Sequence, residues 1–243
     1  GLATRLDQLE HMEIPGLAGY LVDYKRRGCP PVHHSPSFRR NYHPHYRLLA
    51  AEYACYFPAL LAIQRLVAQN PRAIVSIDGR CGSGKTGLAE VIQRVFPCQV
   101  YHMDDFYLPL GARPTNWMEI PGGNMDLRRF LREVLLPARA GQTVSYRAFD
   151  CSSAHLRETV YLPPSPLTVV EGTYSQHPLL AGEYHLKLFL TCSPEVQARR
   201  LLAREGAHYR AFKELWIPME ERYFQSCAVE ERCSLALDTS EFF

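Results

Sequence analysis

The sequence holds eight cysteines among 243 residues, yet none of them forms a C-x-x-C pair. Cys29, Cys55, Cys81, Cys98, Cys151, Cys192, Cys227 and Cys233 are widely scattered. That spacing argues against a zinc site or a disulfide framework and suits a reducing, cytoplasmic setting. No apolar run is long enough to span a bilayer, and the first residues carry no apolar core of a secretory signal, so no membrane partner is expected. Excess charge is missing too. The 27 basic and 25 acidic residues leave a net charge of +2, and no long basic tract is present. Nucleic acid is therefore not an expected partner. Repeats and low-complexity tracts are absent as well.

What is present is ordinary globular material, 47% hydrophobic and 21% charged, long enough to bury a core without metal or disulfides. A change of character near Asn70-Pro71 suggests a helical N-terminal extension over 1–70 and a second domain over 71–243. In the extension, Leu2 to Glu13 and Leu17 to Arg26 read as short helices. Gly28 to Pro44, rich in Pro, His and Ser, reads as a loop, and Tyr46 to Gln69 as one long helix. The aromatic and basic run from Phe38 to Arg47, with His33 and His34 nearby, matches no zinc spacing; it fits a docking loop, a lid or a dimer contact.

After Pro71, strands alternate with helices. Strands are expected at Ala73–Ile77, Gln99–Met103, Leu167–Val170, Leu186–Thr191 and Ser234–Leu237. Helices are expected at Gly87–Val95, Asp126–Ala140, Pro194–Arg204 and His208–Gln225, the last interrupted near Pro218. This order predicts an α/β fold with a parallel sheet covered by helices on both faces.

The segment from Gly79 to Thr86 reads G-R-C-G-S-G-K-T and matches G-x-x-x-x-G-K-[ST] completely, between an apolar strand and a helix. The chemistry needs this pattern. Glycines at Gly79, Gly82 and Gly84 let the backbone curl so that its N–H groups, with those of Ser83, Lys85, Thr86 and Gly87, point at phosphate oxygens. The helix N-terminus adds partial positive charge. Lys85 reaches the terminal phosphates, and the Thr86 hydroxyl is a candidate Mg2+ ligand. The loop alone names a nucleoside triphosphate and not a reaction.

The next strand runs into Asp104-Asp105-Phe106-Tyr107, placing two carboxylates where ligands of parallel sheets bind. Either could accept or orient the proton of an acceptor hydroxyl; a turn-capping role is the plainer alternative. The third strand ends at Glu171-Gly172, where an acid beside a phosphate loop holds Mg2+ through water. Arg199, Arg200 and Arg204 lie on the helix after the fourth strand. They could form a lid that neutralises charge on the moving phosphoryl group, or simply a solvated face.

Together these motifs resemble the uridine kinase, phosphoribulokinase and pantothenate kinase family of P-loop kinases, from about Ala73 to the C-terminus. The resemblance implies ATP and Mg2+ as cofactors, with ATP favoured over GTP. It implies Asp104 as general base with Asp105 as fallback and substrate contact, Glu171 as a metal ligand, and Arg199, Arg200 and Arg204 as a basic lid. Tyr107 follows as a substrate contact. Tyr146 and His155 are the nearest matches to the family's acceptor-binding Tyr and His, and Arg147 could serve an anionic substrate. The family's His-Pro-Asp-x-Phe-Asp run is replaced by Pro121-Gly122-Gly123-Asn124-Met125-Asp126. A uridine kinase-like nucleoside kinase is the leading expectation. Alternatives are a kinase for pantothenate, a sugar or glycerate, a nucleotide-driven switch, and a degenerate binding protein. The absence of an Asn-Lys-x-Asp motif counts against a GTP switch. The expected partner is a small-molecule acceptor; homo-oligomerisation is left open.

Overall fold

The computed structural model describes residues 15–28, 30, 33–44 and 50–242. The helix expected over Leu2 to Glu13, Cys29, and the start of the helix expected from Tyr46 lie outside the described residues. By compactness the chain divides at Cys55: one unit comprises Cys55–Ser240, and the described residues before Cys55 belong to the other.

The smaller unit contains helix α1, Leu17–Arg26, and helix α2, Pro36–Tyr42. The second replaces part of the loop expected over Gly28 to Pro44. Its start is locally encoded: the Ser35 hydroxyl accepts the Phe38 N–H, and Pro36 occupies the first turn, where no donor is needed. His34, Phe38 and Tyr42 stack along one side, with ring centroids 4.5 and 4.7 Å apart.

Helix α3, Ala51–Gln69, leads into the larger unit. Its sheet is built from β1, Ala73–Gly79; β2, Gln99–His102; β5, Leu167–Glu171; β6, Leu186–Thr191; and β7, Leu235–Asp238. The strand order is β2-β5-β1-β6-β7, and every pairing is parallel. Every residue of β1 and β5 is buried, which is why both read as largely apolar runs, broken only by Ser76 and Thr168 before their acidic ends, and not as alternation. Connecting helices are α4, Lys85–Val95; α5, over residues 127–140; α6, Pro194–Glu205; α7, over residues 209–227; and α8, Val229–Arg232. Both α5 and α7 contain a π turn, Leu131–Leu135 and Phe212–Trp216. Each π turn is followed by a proline, Pro137 and Pro218, in the opening turn of the next α-helical stretch. The wider turn leaves the proline's missing N–H without consequence, so the helix continues where an interruption was expected.

Strands β3, Val144–Asp150, and β4, His155–Leu162, form a separate antiparallel hairpin. This hairpin was not foreseen from the sequence. Along β4 nearly every residue is exposed, so no apolar alternation marks it as a strand.

The core gathers aromatic side chains beneath the sheet's C-terminal edge. Phe106 meets Phe130 edge-on at 4.9 Å and stacks on Tyr146 at 5.1 Å. Burying a side chain of this size contributes about 1.5–3 kcal/mol. Phe106 thus anchors the segment that carries Asp104 and Asp105. Because the phosphate loop follows β1 and the acids follow β2 and β5, all three emerge at one sheet edge, where the strand order departs from the chain order. Among the described residues no helix is long and apolar enough to cross a membrane.

Candidate active site

The phosphate loop has the conformation its glycines require. Gly79 has φ 135°, Gly82 75° and Gly84 98°. A Cβ on Gly79 would lie 2.0 Å from the Leu190 carbonyl oxygen, so the strand end admits no side chain there. The loop is braced from outside. Arg80 donates twice to Glu221, at 2.6 and 3.0 Å, and once to Thr191 Oγ1 at 2.7 Å. The Cys81 N–H donates to Glu220 Oε2 at 2.9 Å, and the Tyr56 hydroxyl donates to the Gly84 carbonyl at 3.0 Å. Lys85 Nζ donates to the carbonyls of Gly79, at 2.7 Å, and Arg80, at 3.0 Å, which folds the ammonium across the loop.

The acids stand at the neighbouring strand ends. Glu171, buried at the end of β5, has Oε1 3.5 Å from the Thr86 hydroxyl and 2.5 Å from His102 Nδ1. That hydrogen bond raises the pKa of His102 above its ordinary value against the opposing effect of burial. Asp104 follows β2 in a single 3₁₀ turn, Met103–Phe106, and faces the pocket. Crowding by the pocket wall pushes its pKa upward, and the charge of Glu171 adds to this. Lys85, the nearby Tyr107 hydroxyl and His102 oppose the rise.

One pocket of about 650 Å³ joins these groups, within the size range of small-molecule sites. Gly82, Gly84, Lys85, Thr86 and Gly87 form one wall, with Arg200 and Arg204 beside it; Asp104, Tyr107 and Glu171 form another. Gly79 and Ser83 lie behind the wall and shape it through their backbone. The remaining expected residues are placed elsewhere. Asp105 accepts the Tyr146 hydroxyl at 2.9 Å, so both are turned toward the hairpin. Arg147 ties β3 to β4 through the carbonyls of Leu156 and Arg157, and His155 is exposed at the hairpin turn. Arg199 is exposed on α6, outside the pocket lining. Arg200 is held by the Gly82 carbonyl at 3.1 Å and by Thr239, through its hydroxyl at 2.9 Å and its carbonyl at 2.6 Å. These bonds clamp it to the loop. Arg204 is exposed, pairs with Glu205 at 2.6 Å and lies over Phe212.

Several pocket residues carry no sequence motif: Arg113, Asn124, Thr173, Trp216 and Glu220. They arrive from distant loops and from α7, and single residues in such segments leave no local pattern. His102 had a usable signal, its place at the end of β2 two residues before Asp104.

No family model matches the sequence, and no curated protein does. Solved structures are similar in fold. A possible uridine kinase from Bacillus stearothermophilus is 19% identical, with a TM-score of 0.59 over 77% of this chain and 100% of that one. A protein provisionally described as a fructose transport system kinase, from Silicibacter, is 20% identical, with a TM-score of 0.56 over 78% of this chain and 99% of that one. D-glycerate 3-kinase from Cryptococcus neoformans is 14% identical, with a TM-score of 0.53 over 79% of this chain and 95% of that one. This chain has the fold of the P-loop kinases, the group its motifs resemble.

Proposed function

We propose that this protein transfers the γ-phosphoryl group of ATP to a hydroxyl of a small molecule. The observation that carries the reading is the convergence of Lys85, Thr86, Glu171 and Asp104 on one pocket, although they come from three separate strand ends. A switch that hydrolyses its nucleotide has no need of a carboxylate placed to take a proton from a second substrate.

The donor set fits the nucleotide and its metal. The loop presents inward N–H groups and one ammonium to phosphate, and Thr86 and Glu171 offer the hard oxygen ligands that Mg2+ prefers. When bound, Mg2+ supplies charge neutralisation to the terminal phosphates. The protein's own contribution is positioning and electrostatics. Lys85 and the loop amides hold the terminal phosphates. Asp104, which lines the pocket with Tyr107, takes the proton of the acceptor hydroxyl as its oxygen attacks the γ-phosphorus. The bond from phosphorus to the β,γ-bridging oxygen breaks, and ADP departs with that electron pair.

ADP release in the presence of Mg2+ and ATP, measured against nucleosides, pantothenate, sugar phosphates and glycerate, tests this. One compound should raise the rate well above background. Slow hydrolysis indifferent to every acceptor would instead mark a switch, and tight binding without turnover a degenerate protein. Asp104→Asn should lower kcat by about 10²–10⁴-fold while sparing ATP binding. Because the pKa of Asp104 is raised, its base form is lost at higher pH than that of an ordinary aspartate, and the acid limb of kcat/KM, which reports the free enzyme, should shift upward accordingly. Normal turnover in Asp104→Asn would remove it from this role. The sequence resemblance favours a nucleoside as acceptor; the pocket's own charges favour a different class.

A further inference from the structure

We infer that the acceptor is anionic and that Arg113 receives its carboxylate or phosphate, so that Asp104 acts on a hydroxyl of a hydroxy acid or a sugar phosphate. The inference rests on the kinase reading above and names its substrate class.

Four cations line the pocket: Lys85, Arg113, Arg200 and Arg204. Three are engaged. Lys85 lies on two loop carbonyls, Arg200 on Gly82 and Thr239, and Arg204 on Glu205. The two pocket glutamates are engaged too. Glu171 lies on His102, and Glu220 on the Cys81 N–H and the Thr173 hydroxyl. Arg113 is different. Its Nε donates to the Leu108 carbonyl at 3.0 Å, and among the described residues no carboxylate pairs with it. This hydrogen bond tethers the guanidinium through Nε and leaves its two terminal nitrogens for a ligand.

The guanidinium is held a second time. The Arg113 Cζ lies 4.6 Å from the centre of the Trp117 ring, and Trp117 lies 6.1 Å from Trp216, itself a pocket residue. The Leu108 that anchors Arg113 donates its own N–H to the Asn124 carbonyl at 2.8 Å. A guanidinium stacked on an indole and tied at Nε loses little freedom when it grips an oxyanion with its free fork. Such bidentate, charge-assisted contacts are the strong ones. Asp104, Arg113 and Cys151 line the same pocket, so base and cation open onto a common region. In the same lining, the Asn124 carboxamide is 1% exposed and has no hydrogen-bond partner among the described residues. A buried amide without partners costs stability, which a ligand oxygen beside it could restore.

The protein carries its own reporter. Its two tryptophans, Trp117 and Trp216, both belong to this cluster, so intrinsic fluorescence reads acceptor binding without turnover. The full chain would be titrated with matched pairs: glycerate and glycerol, pantothenate and its alcohol, ribulose 5-phosphate and ribulose. Uridine serves as the neutral nucleoside. At least one anionic member should change the emission saturably, and its neutral counterpart should bind roughly 30-fold more weakly. Arg113→Gln should abolish the difference, Arg113→Lys should restore part of it, and ATP affinity should stay within about twofold in both, as expected of a residue apart from the phosphate loop. Uridine or another neutral compound binding as well as the anions would overturn the inference. So would anion affinity surviving in Arg113→Gln, or no response to any member of the set. ADP release stimulated by a neutral acceptor would sink the anion site and leave the kinase standing. Anion binding without turnover would do the reverse.

Discussion

Gly79 and Arg200 show how single residues set the shape of the phosphate loop. At Gly79 the obstacle to any side chain is a backbone carbonyl, which cannot turn aside. Gly79→Ala should cost several kcal/mol, in the range reserved for severe backbone conflicts, and urea unfolding would measure it. Arg200 and Arg204 lie one helical turn apart on α6 and differ in what they hold. Arg200→Gln removes donors from three oxygens around the loop and should cost about 1–3 kcal/mol. Arg204→Gln, whose partner is an exposed neighbour, should stay within about 0.5 kcal/mol. Equal losses in the two variants would contradict the clamp.

At the scale of elements, α7 braces the loop and the strand before it. Over four residues it supplies Glu220 to Cys81, Glu221 to Arg80 and Tyr223 to Asp78. Asp78, the penultimate residue of β1, is fully buried. It accepts from the Gly79 N–H at 2.7 Å, the Gln176 N–H at 2.9 Å and the Tyr223 hydroxyl at 2.8 Å. Burial outweighs these bonds and raises its pKa from 3.8 to about 6. The folded state therefore binds this proton more tightly than the unfolded chain. The associated stability is present at low pH and is lost as pH rises toward and through 6. Compared with Asp78→Asn, the wild type should lose about 1 kcal/mol of relative stability between pH 5 and pH 7. Denaturant unfolding of both proteins at the two pH values would show it, and parallel pH profiles would refute it.

For the whole molecule, ligand linkage gives the simplest check on the nucleotide site. At a hundredfold excess over Kd, Mg2+ with ATP should stabilise the protein by about 2.7 kcal/mol. For a chain of this length each kcal/mol raises Tm by about 2–4 °C. A thermal melt should therefore move upward by several degrees in the wild type and little in Lys85→Ala. An equal shift in both would mean that the nucleotide does not engage this loop.

The sequence by itself determined the parallel sheet, the phosphate loop and the positions of Asp104 and Glu171 at strand ends. Each of these is a local pattern: fully buried strands are written as apolar runs, and a tight anion-binding turn is written in glycines. It did not determine the β3–β4 hairpin, because β4 has no buried face to impose alternation. Local pattern alone did not separate Asp104 from Asp105, adjacent carboxylates of equal chemistry; the family resemblance favoured Asp104, and the packing of Phe106 turns the first to the pocket and the second to Tyr146. It left Arg200 as one basic residue on a helix face, whereas Thr239 and the Gly82 carbonyl make it a clamp. Arg113, Asn124, Trp216 and Glu220 come together over a hundred residues of chain. Their meeting is decided by how loops and α7 pack over the sheet edge, a long-range outcome that no local spacing records.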